Sequence, residues 1–392
     1  MKRVSQRLAR LPASATMAIS SRARELRADG QDIISFGAGE PDFPTPENIV
    51  AAATRAAHDP ANHHYTANQG LPPLREAVAA YTARYSGVHV DSSEVIVTNG
   101  AKQAVFQTFA ALIDPGDEVL LPAPYWVTYP AGLELAGGVP VLVNTTAATG
   151  FKVTVDDLEK ARTDRTTAMI FVSPSNPTGA VYSEDEARAI GQWAQENEIW
   201  VITDEIYQRL VYFTDVAPSI VGVTPELENW IIINGVAKSY AMTGWRVGWM
   251  IGPRDIMDAA ARHQSHATSN VANISQHGAL AALEGAQDTV EEMRQAFDER
   301  RQLMYSLVSA IPGVNCLEPE GAFYVFPDVS ALLGGKYATS ADLAAGILEE
   351  AGIALVPGES FGASGFLRLS YAVGKDEIER GIARIAGLIE TL

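Results

Sequence analysis

The chain is poor in cysteine and in lysine. Its one cysteine, Cys316, excludes an intrachain disulfide and any cysteine-rich metal cluster, fits a reducing compartment such as the cytoplasm, and reads as a small buried hydrophobe. No apolar run approaches the roughly 18 residues needed to span a bilayer. The N-terminal MKRVSQRLARLPA has arginine but no apolar stretch after it, so it reads as a short surface helix or arm and not as a signal. Basic residues number 29 against 47 acidic ones. That balance argues against nucleic acid or an anionic membrane as partner, because either would repel the protein at long range. The seven histidines are scattered; His263 and His266 share helical spacing without a clear carboxylate partner, so no metal site is read. In GAGEPDF, Asp42 falls where the third glycine of a dinucleotide fingerprint should stand, which removes the nicotinamide reading.

What is present is a chain of 392 residues with 47% hydrophobic content, enough for two domains. From residue 94 short β-branched runs alternate with amphipathic helical ones: EVIVT (94–98), DEVLLP (117–122), TAMIFVS (167–173), WVITDEIY (200–207) and WIIINGV (230–236). Continuously apolar strands separated by helices indicate a parallel sheet covered on both faces, hence an α/β fold. Beyond residue 285 long amphipathic helices and the short strands GAFYVFP and FLRLSYAV predict a smaller α+β domain. The division expected is a large domain over 46–285 and a small one made of 1–45 and 286–392.

Ligands of such sheets sit outside the carboxyl ends of the strands. Here those ends read NGAK, PAPYW, SPSNPTG, DEIY and NGVAK. The Asn99-Gly100-Ala101 turn leads a strand into a helix, which aims free amides and the positive dipole end at one point, a natural phosphate site; Arg246 adds a guanidinium for the same oxygens. A lysine at a strand end is commonly a solvated surface residue. Yet only seven of the 29 basic residues are lysines, and Lys238 follows a run that should be a buried strand. Lysine can lose its proton when buried near other cations and then form a Schiff base with an aldehyde. That chemistry needs a phosphate anchor, an aromatic face, an anion for a pyridinium nitrogen and a donor to a phenolate. Gly100 to Lys102 with Arg246, then Trp126, Asp204, and Asn176 with Tyr207 fill those roles.

The segments AGEPDFPTP, HYTANQGLPPLREA, PAPYWVTYP, SPSNPTGAVY, TDEIY, AKSYAMTGWRVG, GAFYVF and LRLSYA resemble, in order and spacing, the class I aminotransferases, pyridoxal-phosphate enzymes of fold type I. The likeness runs from about residue 5 to 390 and is greatest to the I-beta aspartate branch. It implies a large domain with a mostly parallel seven-stranded sheet. It also implies that Lys238 carries the cofactor and shuttles the substrate proton, and that Asp204 pairs with the pyridine nitrogen. Trp126 would stack on the ring, and Asn176 and Tyr207 would bond the phenolate oxygen. The phosphate would take the amides of Gly100, Ala101 and Lys102, Arg246, and Tyr65 from a neighbouring subunit, making a homodimer with shared active sites. Arg368 would clamp the substrate α-carboxylate, with Asn176 and the Gly39 amide. Seen singly, Trp126 and Tyr207 could be core aromatics, Asp204 a helix cap and Arg368 a surface cation; their joint presence reverses that.

Two departures stand out. Many relatives carry serine three residues before the lysine, where this chain has Gly235. The I-alpha enzymes use a partner arginine for the distal carboxylate, and RHQSHATSN (262–270) offers no counterpart. In the I-beta branch a lysine at the start of the phosphate helix and N-terminal hydroxyls resemble the substitute; here these are Lys102 and Ser14 to Thr16. The activity implied is ping-pong transamination between aspartate and 2-oxoglutarate, giving oxaloacetate and glutamate. Prephenate as an acceptor, an aromatic or alanine transaminase, and a β-elimination lyase remain as alternatives on the same scaffold. A non-catalytic sensor of this fold would carry an added DNA-binding domain, which a short N-terminal arm and an acidic chain do not match.

Overall fold

The computed structural model describes residues 3–9, 11 and 15–392, without the side chains of Arg7, Ala15, Thr16, Met17 and Ser20. Seven strands form the central sheet: β1 Val95–Thr98, β2 Glu118–Ala123, β3 Val139–Asn144, β4 Thr166–Val172, β5 Trp200–Asp204, β6 Trp230–Gly235 and β7 Gly248–Ile251. Their spatial order is β1-β7-β6-β5-β4-β2-β3. Pairing is parallel from β3 through β6, and β7 runs antiparallel to both β6 and β1.

Side-chain alternation shows why the strands read as unbroken apolar runs. Val95 and Val97 join one apolar cluster and Ile96 the other; Ile232 joins the first, while Ile231 and Ile233 join the second. Both faces are covered by helices, so the interior strands are buried at nearly every position. Each such Ile or Val contributes roughly 1.5–3 kcal/mol through burial. Two of the covering helices, Val155–Ala161 and Glu184–Glu196, start at sequence-coded side-chain caps, Thr154 and Ser183. In Glu184–Glu196 the Ser183 hydroxyl accepts from the Glu186 amide at 3.3 Å, and Glu186 accepts in return from the Ser183 amide at 2.8 Å.

A third large cluster gathers around the 22-residue helix Asp288–Ser309, the helix Lys375–Ile389 and a three-stranded antiparallel sheet of Tyr324–Val325, Leu367–Ser370 and Val356–Pro357. Ile206, Tyr207 and Leu210, just past the end of β5, pack into this cluster and not into those of the central sheet. They form the seam that brings Arg368, on Leu367–Ser370, to the carboxyl edge of the central sheet.

Two strands of the central sheet escaped the sequence reading. VPVLVN lies at the sheet edge, exposed at Val139, Leu142 and Asn144 and fully buried only at Val143, so it is not a buried run like the others. GWMI follows a left-handed Arg246 (φ 57°) and is preceded only by the one-turn 3-10 helix Thr243–Trp245, not by an amphipathic α-helix. DEIY is strand only as far as Asp204. Cys316 is half-buried, against the expectation of a buried hydrophobe, and donates to Leu317 O at 3.3 Å.

Candidate active site

Strand β6 ends at Gly235, and three residues later the Lys238 amine donates to Gly39 O. Lys238 is half-buried, with Nζ 5.7 Å from the Tyr207 ring centroid and 5.6 Å from that of Phe323. Loss of hydration pulls its pKa down to about 8; Glu40 opposes that shift, and Arg368 and Arg246 add to it. The neighbouring β5 ends at Asp204, whose register partner on β6 is Ile233. Asp204 is buried, accepting from the Tyr129 hydroxyl at 2.8 Å and from the Ile206 amide at 3.1 Å. Burial raises its pKa, and those two hydrogen bonds hold it down. Asp204 makes no ion pair among the described residues, although the Lys238 charge favours its ionised form; a buried carboxylate is costly, so its persistence at a cleft edge suits a cationic ligand group.

The glycine turn expected between strand and helix is present. Gly100 caps the helix Ala101–Leu112 with φ 76°, and a Cβ there would lie 2.6 Å from Arg246 Nη2. Only a glycine lets the guanidinium cross this turn so closely. Arg246 is fixed by bonds to Thr243 O at 2.9 Å and Asn99 O at 3.3 Å. The Gly100 amide donates to Thr98 O at 2.7 Å, which takes it from the expected phosphate donors and leaves Ala101 and Lys102, at the helix start, in that place. Trp126 is half-buried, edge-on to Tyr129 at 5.4 Å. Lys102 Nζ stands 5.0 Å from its centroid, and lost hydration, then the Arg246 charge, lowers the lysine pKa.

Arg368 is 3% exposed and lies 4.4 Å from the Tyr324 ring and 5.0 Å from that of Phe361. Nη1 donates to Asn176 Oδ1 and Nη2 to Gly37 O, each at 3.0 Å, while buried Nε has no hydrogen-bond partner. Because arginine only donates, the Asn176 oxygen must face it and the amide nitrogen must face away. Tyr207 Oη lies 2.9 Å from Tyr324 Oη. Tyr65 is 91% exposed and is not brought to the site by its own chain. Ser14 and the Thr16 side chain lie outside the described residues. Tyr129, Tyr324 and Glu40 were missed in the sequence, although GAFYVF and the three-residue spacing of Trp126 and Tyr129 were available signals.

The segment 37–45 covers the site and is fastened to both sides. Glu40 accepts from Thr243 at 2.8 Å, and Thr45 donates to Ala241 O at 2.7 Å while accepting from Trp245 Nε1 at 2.9 Å. On the other side Asp42 pairs with Arg300 at 2.6 Å, and Phe43 packs edge-on to Phe297 at 5.2 Å. Among the described residues no group of His, Cys, Asp or Glu could hold a metal ion, and no helix is long and apolar enough to cross a membrane. An anion cradle, a buried carboxylate, a depressed amine and an orphaned guanidinium nitrogen fit pyridoxal phosphate and a carboxylate substrate.

Comparison with known proteins agrees with this arrangement. The family described as "Aminotransferase class I and II" matches residues 31–385. The aspartate aminotransferase of Streptomyces avermitilis is 54% identical, covering 99% of this chain and 97% of that protein. A probable aspartate/prephenate aminotransferase of Aquifex aeolicus is 43% identical over the full length of both. The crystal structure of the aspartate aminotransferase from Rhizobium meliloti superposes with a TM-score of 0.95 at 38% identity, covering 100% of this chain and 99% of that one. A family model that matches residues 31–385 and a relative 54% identical along 99% of the chain make this chain a member of the class I and II aminotransferases.

Proposed function

We propose that the enzyme transaminates aspartate with 2-oxoglutarate, forming oxaloacetate and glutamate in alternate half-reactions at one site. The observation that carries this reading is the pair of cations either side of the cleft: Arg368, held by Asn176 with Nε unbonded, and Lys102 over Trp126. Both substrates of each half-reaction are dicarboxylates, so a guanidinium for the α-carboxylate and an ammonium for the distal one serve donor and acceptor alike. Identities of 54% and 45% to proteins named aspartate aminotransferase support it.

Pyridoxal phosphate supplies an aldehyde and an electron-withdrawing ring. The chain supplies position and proton transfer. Arg246 and the amides of Ala101 and Lys102 would hold the phosphate, Trp126 would flank the ring, and Asp204, kept anionic by Tyr129 and Ile206, would hold the ring nitrogen protonated. Asn176 Nδ2 and the Tyr207 hydroxyl would donate to the phenolate oxygen. With its pKa near 8, the Lys238 amine is partly uncharged near neutrality and can take the substrate Cα proton and return it. Gly39 and Arg368 would fix the carboxylate on which that geometry depends.

Lys102 is one flexible ammonium without bidentate geometry, which favours prephenate as a further acceptor. The 43% identity to a probable aspartate/prephenate aminotransferase supports that second reading. The exposure of Tyr65 supports a homodimer in which each chain completes its partner's phosphate site. The separate apolar clusters support domains at 46–285 and at 1–45 with 286–392, and the lone cysteine suits the cytoplasm.

The test is single-turnover conversion of the cofactor-loaded enzyme by a panel of amino acids. Aspartate and glutamate should act fastest, and Lys102→Ala should weaken them selectively. Faster conversion by alanine or an aromatic amino acid would remove the dicarboxylate assignment.

A further inference from the structure

Tyr324 occupies no role assigned so far, yet it touches three of the groups that matter. It lies on the strand Tyr324–Val325 and is fully buried. Its hydroxyl is 2.9 Å from that of Tyr207. Its ring carries the Arg368 guanidinium at 4.4 Å, a contact built in by register, since Tyr324 pairs with Ser370 two residues beyond Arg368. A Cβ on Gly39 would stand 3.2 Å from the Tyr324 hydroxyl, so Gly39, whose carbonyl takes the Lys238 amine, lies directly against it.

The direction of the tyrosine–tyrosine bond follows from counting protons. A phenol has one hydrogen to give and can accept through its oxygen lone pairs. Among the described residues Tyr324 Oη has Tyr207 Oη as its hydrogen-bond partner and no other, and a buried hydroxyl left without an acceptor is costly. Tyr207 has a second use for its own hydrogen, the phenolate oxygen of the cofactor. Both hydroxyls are satisfied together only if Tyr324 donates to Tyr207 and Tyr207 donates onward. A phenol that accepts a hydrogen bond also becomes the better donor.

We propose that Tyr324 is a positioning residue for transamination: its hydroxyl directs the Tyr207 proton toward the cofactor phenolate, and its ring seats Arg368 for the substrate carboxylate. This rests on the reading that Tyr207 bonds the phenolate. The charged groups facing the pair are Arg368 and Asp204, with Lys238 across the Tyr207 ring. Replacing either hydroxyl by hydrogen leaves all of them in place.

The experiment compares wild type with Tyr207→Phe, Tyr324→Phe, the double variant and Tyr324→Leu, each loaded with pyridoxal phosphate. It reads the pH at which the visible absorption band titrates, the cofactor Kd, and KM and kcat for aspartate. Tyr207→Phe should raise the band's pKa by roughly one unit or more, because a donor to the ionised oxygen is lost. Tyr324→Phe should raise it by a smaller amount with KM for aspartate nearly unchanged, and the double variant should match Tyr207→Phe because the two act in series. Tyr324→Leu, lacking the ring, should raise KM for aspartate roughly fivefold or more. A rise in Tyr207→Phe with none in Tyr324→Phe overturns the relay while leaving the role of Tyr207 intact. No rise in Tyr207→Phe overturns the role of Tyr207 and the relay with it. An unchanged KM in Tyr324→Leu overturns the seat for Arg368.

Discussion

Gly235 and Gly248 face each other across β6 and β7, and a Cβ on Gly235 would lie 2.9 Å from Gly248 Cα and 3.0 Å from Val247 O. The serine that many relatives place three residues before the lysine has no room here. Gly235 is set by close backbone approach, and in the proposed reading the phosphate anchor falls to Arg246 and the helix start.

Gly235→Ser should therefore lower stability by about 1–3 kcal/mol through overpacking and weaken cofactor binding. Thermal unfolding of the cofactor-free chain and a cofactor titration measure both. Tighter binding at unchanged Tm would show that the strands part easily and the hydroxyl is useful.

Tyr129→Phe should act through Asp204, from which it removes the 2.8 Å hydroxyl bond. Loss of one charge-assisted bond costs about 1.5–3 kcal/mol, so kcat/KM should fall roughly 10- to 100-fold with the Asp204 pKa raised further. A pH–rate profile whose acidic limb does not move upward would exclude that route.

Lys238 is held with its pKa near 8, below the ordinary 10.5. Between those values the unfolded chain binds the extra proton, so this residue makes the cofactor-free protein more stable as pH rises from 8 to 10.5. Lys238→Met should lose that slope, worth roughly 2 kcal/mol allowing for water in the cleft. Urea unfolding at both ends of the window, compared with wild type, provides the measurement.

Glu205 should show the opposite sign. It is buried beside Asp204, accepting from Ser86 at 2.9 Å and Ser219 at 2.6 Å, and burial pushes its pKa from 4.5 up to about 7. The folded chain binds the extra proton here, so its contribution is full below pH 4.5 and fades as pH rises through 7. Glu205→Gln should flatten stability across that window by about 2–3 kcal/mol. Identical slopes in the two proteins would place the titration elsewhere.

The sequence made visible what repeats locally. Runs such as III at 231–233 are apolar at every position because both faces are buried, and that alone located Lys238, Asp204 and Gly100 on one sheet edge. Contacts made by elements distant in sequence were not visible. Asn176 fixed by Arg368 joins residues 192 apart, and the Tyr207–Tyr324 contact joins residues 117 apart. No local period encodes either. The bond from the Gly100 amide to Thr98 O depends on the local turn geometry and was not visible either.

Lys238 also ties down the chain that covers it. Its bond to Gly39 O belongs to the same segment that Glu40, Asp42 and Thr45 fasten on two sides. In the proposed reading the bound cofactor would engage the amine, and Gly39 would lose its donor while the other three keep theirs. One peptide unit then slackens inside a strap that stays buckled, so hydrogen exchange faster at Glu40 than at Phe43 would make the backbone itself a gauge of cofactor occupancy.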